Sequence, residues 1–293
     1  MAGSSWLFRV TRLALMIFMF TATIYPSATS AQITLQSSRL VVQAKPFPCI
    51  TVFSPTGHSL VAIPYSSLSA LSKALRLNWV PARVDTAVLY AVPIDLKRAH
   101  TLSPHALAIA QGVKNYFHAM RVLIVPIVLP TKEPVGVLQT REVLCLARDK
   151  PLSIDGVGSV EAGLLPQIRG DDSETLALLH IDAPFLKMGI LYQTVRQPAS
   201  QWPKDHGVLI LQLSKVSERV SAKSLSVLDP DVAVLINDTG KDKLGAPLTQ
   251  LIEQLYEMWV DVYEVKSGPP LVMTAGEHGL FLPSFGKHAH VRS

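Results

Sequence analysis

Short β-branched and leucine-rich runs, separated by turn residues, set the pattern from residue 35 onward. Leu35–Gln43 and Cys49–Phe53 read as strands, Ser54-Pro55-Thr56-Gly57 is a turn sequence, and Ser59–Ile63 follows as a third strand. The period then changes. Leu68, Leu71, Ala74 and Leu75 recur at helical spacing, with serines ahead of them to cap. Thr86–Leu89 is a short buried strand, Ser103-Pro104 opens a helix to about His118 with proline in its first turn, and Arg121–Val128 is again a strand.

The second half repeats the plan. Glu142–Leu146, Leu152–Ile154 and Ser159–Leu164 are short strands divided by Asp-Lys-Pro and Asp-Gly-Val-Gly turns. Leu176–Ile181 and Met188–Tyr192 form an apolar pair around Ala183-Pro184, and Val208–Leu213 and Val232–Ile236 are buried runs. Ala246–Trp259 reads as a helix with Leu248, Leu251, Ile252, Leu255 and Trp259 on one face. Val262–Val265, Leu271–Ala275 and Gly279–Leu282 close the pattern as strands. Two successions of strands and then helices, with no linker between them, predict one α/β domain over residues 32–285 with an internal pseudo-duplication. Residues 286–293 are expected to be a loose tail.

The N-terminus is patterned differently. Arg9 and Arg12 precede an apolar run, Leu13–Ile24, followed by Pro26 and the small residues Ala28-Thr29-Ser30-Ala31. A positive end, an apolar run and a small-residue exit predict a secretory signal peptide over residues 1–31, with cleavage after Ser30 or Ala31 fitting equally well. The run is shorter than the roughly 20 residues a spanning helix needs. Val122–Leu129 is interrupted by Pro126 and does not span either. The expectation is an exported, periplasmic or extracellular protein with no membrane attachment after cleavage.

Charge and cysteines narrow this further. The 27 basic and 22 acidic residues give +5, and loss of Arg9 and Arg12 leaves 25 − 22 = +3. The longest basic cluster is Lys97-Arg98, too short to predict nucleic-acid binding by charge. With 48% apolar and 17% charged residues, extensive disorder and coiled coil are excluded. Cys49 and Cys145 are the two cysteines. A bridge between them would stabilise by about 4–5 kcal/mol through loop closure. Two buried thiols acting as small hydrophobes fit their apolar strand-like runs equally well.

In its order of elements the chain resembles the metallo-β-lactamase fold, and most of all the extracytoplasmic hydrolase-like domain of late-competence DNA-uptake membrane proteins. Cys49–Ile63 is similar to the family's opening hairpin, and Val84–Leu89 looks like the strand that leads into its metal loop. Val143–Gly156, with Leu165-Pro166 beyond it, resembles the strand pair before the second half. Asp171–Leu179 matches the segment where Asn/Asp-Ser precedes an apolar strand. Leu228–Ile236 followed by Gly245-Ala246-Pro247 is the most specific piece, because there the family has an apolar strand, a loop and Gly-His-Pro at a helix start. The resemblance implies an αββα sandwich, two mixed sheets flanked by helices.

The family's metal chemistry does not carry over with it. The family's His-x-His/Asp-x-Asp-His loop supplies several donors on one short turn, whereas here the run is Ala91-Val-Pro-Ile-Asp95-Leu96. Thr194 falls near the family's bridging Asp, Lys215-Val216-Ser217-Glu218 stands where the competence proteins carry His-His-Gly-Ser, and Ala246 replaces a histidine. One carboxylate cannot hold Zn²⁺, which needs three or four protein ligands. The resemblance thus implies a vestigial cleft at Asp95, Leu96, Thr194, Lys215, Ser217 and Ala246, filled by Val92, Pro93, Leu96 and Val216, with no catalytic residues, metal or other cofactor.

Other chemistry is thinly represented. Asp171-Asp172 could do acid–base work, but the pair and Glu174 also read as a solvated turn. Lys97, Lys215 and Arg219 are candidate bases or anion binders, Lys215 and Arg219 beside a helix start. His278, His288 and His290 lie near the expected tail, and His58, His100, His180 and His206 do not cluster as ligands in sequence. No nucleophile-elbow, dinucleotide or P-loop motif is present. The expected function is a binding or scaffold module for another exported protein or an anionic ligand, with nucleic acid only by analogy. The alternative is a metal-dependent hydrolase, of phosphodiesterase or lactamase type, with a reduced, non-standard site on Asp95, Asp171 and Asp172.

Overall fold

The computed structural model of the chain describes residues 37–44, 47–67, 84–93, 104–129, 142–166, 175–197, 199, 206–213, 220, 222–237, 246–266 and 268–281. Each half of this set begins with antiparallel strands and continues with parallel ones. In the first half β1 (Ser38–Gln43), β2 (Cys49–Phe53) and β3 (Ser59–Pro64) are antiparallel neighbours. β4 (Thr86–Val92), β5 (Arg121–Pro126) and β6 (Val143–Cys145) then add in parallel, with α1 (Pro104–Phe117) between β4 and β5. In the second half β7 (Leu152–Ile154), β8 (Gly158–Pro166), β9 (Thr175–Ala183) and β10 (Leu186–Val195) are antiparallel. β11 (Val208–Gln212), β12 (Val232–Ile236) and β13 (Asp261–Val265) follow in parallel. The short α2 (Ala222–Leu225) precedes β12, and α3 (Ala246–Glu257) connects β12 to β13.

The chain then crosses back. β14 (Leu271–Gly276) pairs with β1, and β15 (Gly279–Phe281) pairs with β14. The result is an eight-stranded sheet ordered β15-β14-β1-β2-β3-β4-β5-β6 and a seven-stranded sheet ordered β13-β12-β11-β10-β9-β8-β7. The repeated antiparallel-then-parallel order is the pseudo-duplication legible in the sequence.

Three cores make four layers. One lies between the sheets, where Leu40, Val52, Leu60 and Val88 meet Leu179, Ile181, Ile190 and Val234. The second lies beneath α1, joining Ala110, Val113 and Phe117 to Val61, Leu89 and Ile124. The third lies beneath α2 and α3, joining Leu225, Leu251 and Leu255 to Leu178, Leu209 and Leu235. Strands buried on both faces read as near-continuous apolar runs, and β4, β11 and β12 are buried at every position. This is the expected αββα sandwich.

The N-terminal ends of the parallel strands are tied by tight turns. The Ser38 hydroxyl donates to the Pro184 carbonyl in the β9–β10 turn, and the Thr56 hydroxyl donates to the Gly156 carbonyl at 3.0 Å. Gly156 has φ +72°, and a Cβ there would meet the His58 ring at 2.0 Å, so the contact between the two hairpin turns depends on glycine.

The cysteines do not meet. Cys49 and Cys145 are free and buried, on β2 and β6 of the same sheet. Four strand spacings of about 4.8 Å separate their strands by roughly 19 Å, against a limit of about 7 Å for a bridge. Burial pushes each thiol up to about 12, so both are protonated hydrophobes.

Candidate functional site

Parallel strands that are followed by helices leave a crevice at their C-terminal ends, the usual place for a site in open α/β sheets. Here those ends are Tyr90–Val92 on β4, Gln212 on β11 and Ile236 on β12 with Asn237 beyond it, joined by the end of β10, which runs parallel to β11. Two irregularities fall at this level. β4 slips against β5 between Leu89, opposite Ile124, and Val92, opposite Pro126, and Ala91 takes φ +58°. β10 slips against β9 between Leu191, opposite Leu178, and Gln193, opposite Ala177. Each is a β-bulge, a device that re-aims side chains and is frequent beside functional sites.

Ordinary strand alternation, continuing from Val88 on β4 and from Ile190 on β10, turns a tyrosine into the space between the sheets beside each bulge. Tyr90 and Tyr192 are fully buried there, with ring centroids 5.5 Å apart and planes at 51°. The Tyr90 hydroxyl donates to Oε1 of buried Gln212 at 3.5 Å. Tyr192 Oη is buried with no hydrogen-bond partner among the described residues, and burial drives its pKa well above the ordinary phenol range. The hydroxyl is therefore a neutral phenol at any physiological pH.

The same bulges decide where the residues predicted from sequence go. Because a one-residue slip reverses the facing of all that follows, Ala91 joins the inter-sheet core alongside Tyr90. Val92 goes to the core beneath α1, and Pro93 is exposed. Val92 and Pro93 thus do not fill the crevice as expected; the tyrosines do. On β10 the slip puts Val195 in the inter-sheet core and leaves Thr194 half-buried opposite Leu176, a residue of the helix-side core. Ala246 opens α3. Asp95, Leu96, Lys215 and Ser217 lie outside the described residues, as do Lys97, His100, Asp171, Asp172, Glu174, Val216, Arg219, His288 and His290. The N-terminal leader, the predicted helix at Leu68–Leu75 and the C-terminal tail lie there too.

Among the described residues, the other polar groups at this end are mostly amides. Gln197 accepts from the Leu129 N–H and donates to the Leu129 carbonyl, both at 3.1 Å, so its side chain clamps the exits of β5 and β10 together. The Thr175 hydroxyl donates to the Gln197 carbonyl at 3.0 Å, and Asn237 Nδ2 donates to Glu264 at 2.9 Å. These neutral groups position backbone and lack acid–base capacity near pH 7. Sequence reasoning missed Tyr90, Tyr192 and Gln212, because in a strand they look like ordinary core and edge positions and only the packing of one sheet on the other brings them together.

The histidines fall elsewhere. His58 Nδ1 lies 3.4 Å from Asp85 at a hairpin turn. His180 on β9 and His206 before β11 are both buried, with ring centroids 4.5 Å apart in an edge-on arrangement. Among the described residues no group of three His, Cys, Asp or Glu side chains is placed to hold a metal ion. An open hollow of about 700 Å³ lies at the opposite end of the second sheet, beside the β9–β10 turn, lined by Ser159, Asp182, Phe185, Lys187 and Gly207.

No family model and no curated protein matches the chain. Among solved structures it is similar to the metallo-beta-lactamase fold protein YhfI from Bacillus subtilis, 13% identical over 82% of this chain and 100% of that one, with a TM-score of 0.44. It is also similar to a variant of the CmlA beta-hydroxylase, 11% identical over 81% of this chain and 53% of that one, with a TM-score of 0.42.

Proposed function

We propose that the chain is an exported protein of metallo-β-lactamase fold that acts as a binding or scaffold module. The observation that carries this reading is the filling of the space between the sheets by Tyr90 and Tyr192 at the strand ends, where the resemblance places metal and water. The sequence supports it independently. Asp95 is the one donor left in the metal loop, and Lys215, Ser217 and Ala246 stand where the family offers histidines or their neighbours. A zinc site of three or four ligands is not recoverable from that set. The partner is another exported protein or an anionic ligand. The mature charge of +3, without a basic run, gives nucleic acid no support beyond analogy with the competence proteins.

Two measurements on the purified full chain test this. Elemental analysis is expected to find zinc well below one equivalent, and phosphodiester and lactam substrates are expected to go unturned. Stoichiometric zinc with phosphodiesterase activity lost in Asp95→Ala would overturn the proposal in favour of a reduced hydrolase site. Mass spectrometry of protein from the exported fraction is expected to place the new N-terminus at Ala31 or Gln32.

A further inference from the structure

The end of α3 contradicts its sequence reading in a telling way. Trp259, expected on the helix's apolar face, lies two residues beyond its last turn and is 94% exposed. The Val260 N–H bonds to the Leu255 carbonyl and the Trp259 N–H to the Tyr256 carbonyl, both at 3.0 Å. That pair of bonds is a Schellman motif with Trp259 at the left-handed C′ position, and its φ is +63°. Glycine is the residue this position favours, since a side chain there costs backbone energy. Leu255 and Val260 supply the apolar contact that usually completes the motif. Among the described residues nothing compensates for placing an indole at C′, because that indole is exposed to solvent. Strained backbone conformations cluster at ligand clamps and other functional sites, and here one carries an exposed indole.

The neighbours give the surface a sign. Glu253, Tyr256 and Glu257 in the last turns of α3, and Asp261 two residues after Trp259, are all exposed. Tyr256 and Asp261 are close enough for the carboxylate to help raise the phenol's pKa, after burial. From Ala246 to Val265 there is no lysine or arginine, in a chain whose net charge is +5. The first cation beyond, Lys266, lies 3.2 Å from Glu264.

We propose that Trp259 and Tyr256, with the exposed carboxylates Glu253 and Glu257 at the end of α3 and Asp261 at the start of β13, form a docking surface for an arginine-bearing segment of a partner protein. Guanidinium is the cation that stacks on an indole face while hydrogen-bonding carboxylates around it. Trp, Tyr and Arg are also the residues that dominate interface energetics. A two-fold contact between copies of this chain would set the three carboxylates against their own counterparts, which disfavours it. α3 runs back along the sheet, so this surface lies at the opposite end from the tyrosine-filled crevice. It deepens the binding-module reading but uses a different surface, and a zinc-loaded, active protein would leave it standing.

The test is a titration of the full chain with fluorescein-labelled octa-arginine, with octa-lysine and octa-glutamate as comparisons. Octa-arginine is expected to bind more tightly than octa-lysine, with an affinity that falls as salt rises, and octa-glutamate not at all. Trp259→Gly relieves the backbone, so it is expected to unfold at the same or higher temperature while binding octa-arginine about tenfold more weakly. The triple variant E253Q/E257Q/D261N is expected to lose the salt dependence. Absent octa-arginine binding, equal binding of octa-lysine, or unchanged affinity in a folded W259G protein would each overturn the proposal. So would self-association in sedimentation that W259G abolishes, since the occupant would then be a second copy.

Discussion

A hydroxyl buried without a partner costs about 1–3 kcal/mol relative to one left in water, and Tyr192 carries such a group among the described residues. Its ring is nonetheless packed against Tyr90 in the inter-sheet core. Tyr192→Phe keeps the ring and removes the oxygen, so it is expected to raise the free energy of unfolding by about 1 kcal/mol. Chemical denaturation would check this, and a loss of stability would mean that the hydroxyl is satisfied in solution. The sequence marks Tyr192 as apolar strand and nothing more. Its orphaned oxygen depends on what stands opposite, Tyr90 from a strand of the other sheet, about 100 positions away in sequence.

Between strands, register does what residue type cannot. Glu161 on β8, His180 on β9 and Gly189 on β10 lie in one cross-strand row, and Gly189 leaves room for the His206 ring, which a Cβ would meet at 3.0 Å. Burial lowers the His180 pKa below its usual 6.5 and Lys187 adds to this, while Asp182 and a backbone hydrogen bond at Met188 act the other way. A depressed histidine leaves stability intact above pH 6.5 and removes it as pH falls below that value, because the unfolded state then takes up the proton more readily. Unfolding free energy is therefore expected to decline on mild acidification, and His180→Gln to flatten the decline over the same range. Glu161, whose pKa is raised by burial and then by Asp149, works in the opposite direction, so the comparison with H180Q at each pH isolates the imidazole. Element positions along the chain were largely legible: β2, β7 and β12 run over the predicted residues. The ends were not. β5 stops at Pro126, leaving Val128 exposed, and α3 stops at Glu257, because proline and a Schellman turn end elements that hydrophobic period alone would extend.

For the whole molecule, stability rests on three apolar cores rather than on a covalent link. Cys49 and Cys145 sit on strands four places apart in one sheet. If they were bridged, reduction would remove about 4–5 kcal/mol. The thermal midpoint is instead expected to be the same with and without reductant, and a fall of several degrees would show that the thiols are bridged. The alternation of apolar and turn residues determined by itself that the chain makes two strand-then-helix halves, because burial on both faces writes continuous β-branched runs and helices write a longer period. Which face Val92 and Thr194 take, which tyrosines fill the crevice, how far apart the thiols lie and where Trp259 points were decided only in three dimensions. Bulges, strand order and helix caps depend on partners distant in sequence, and a local pattern holds no record of them.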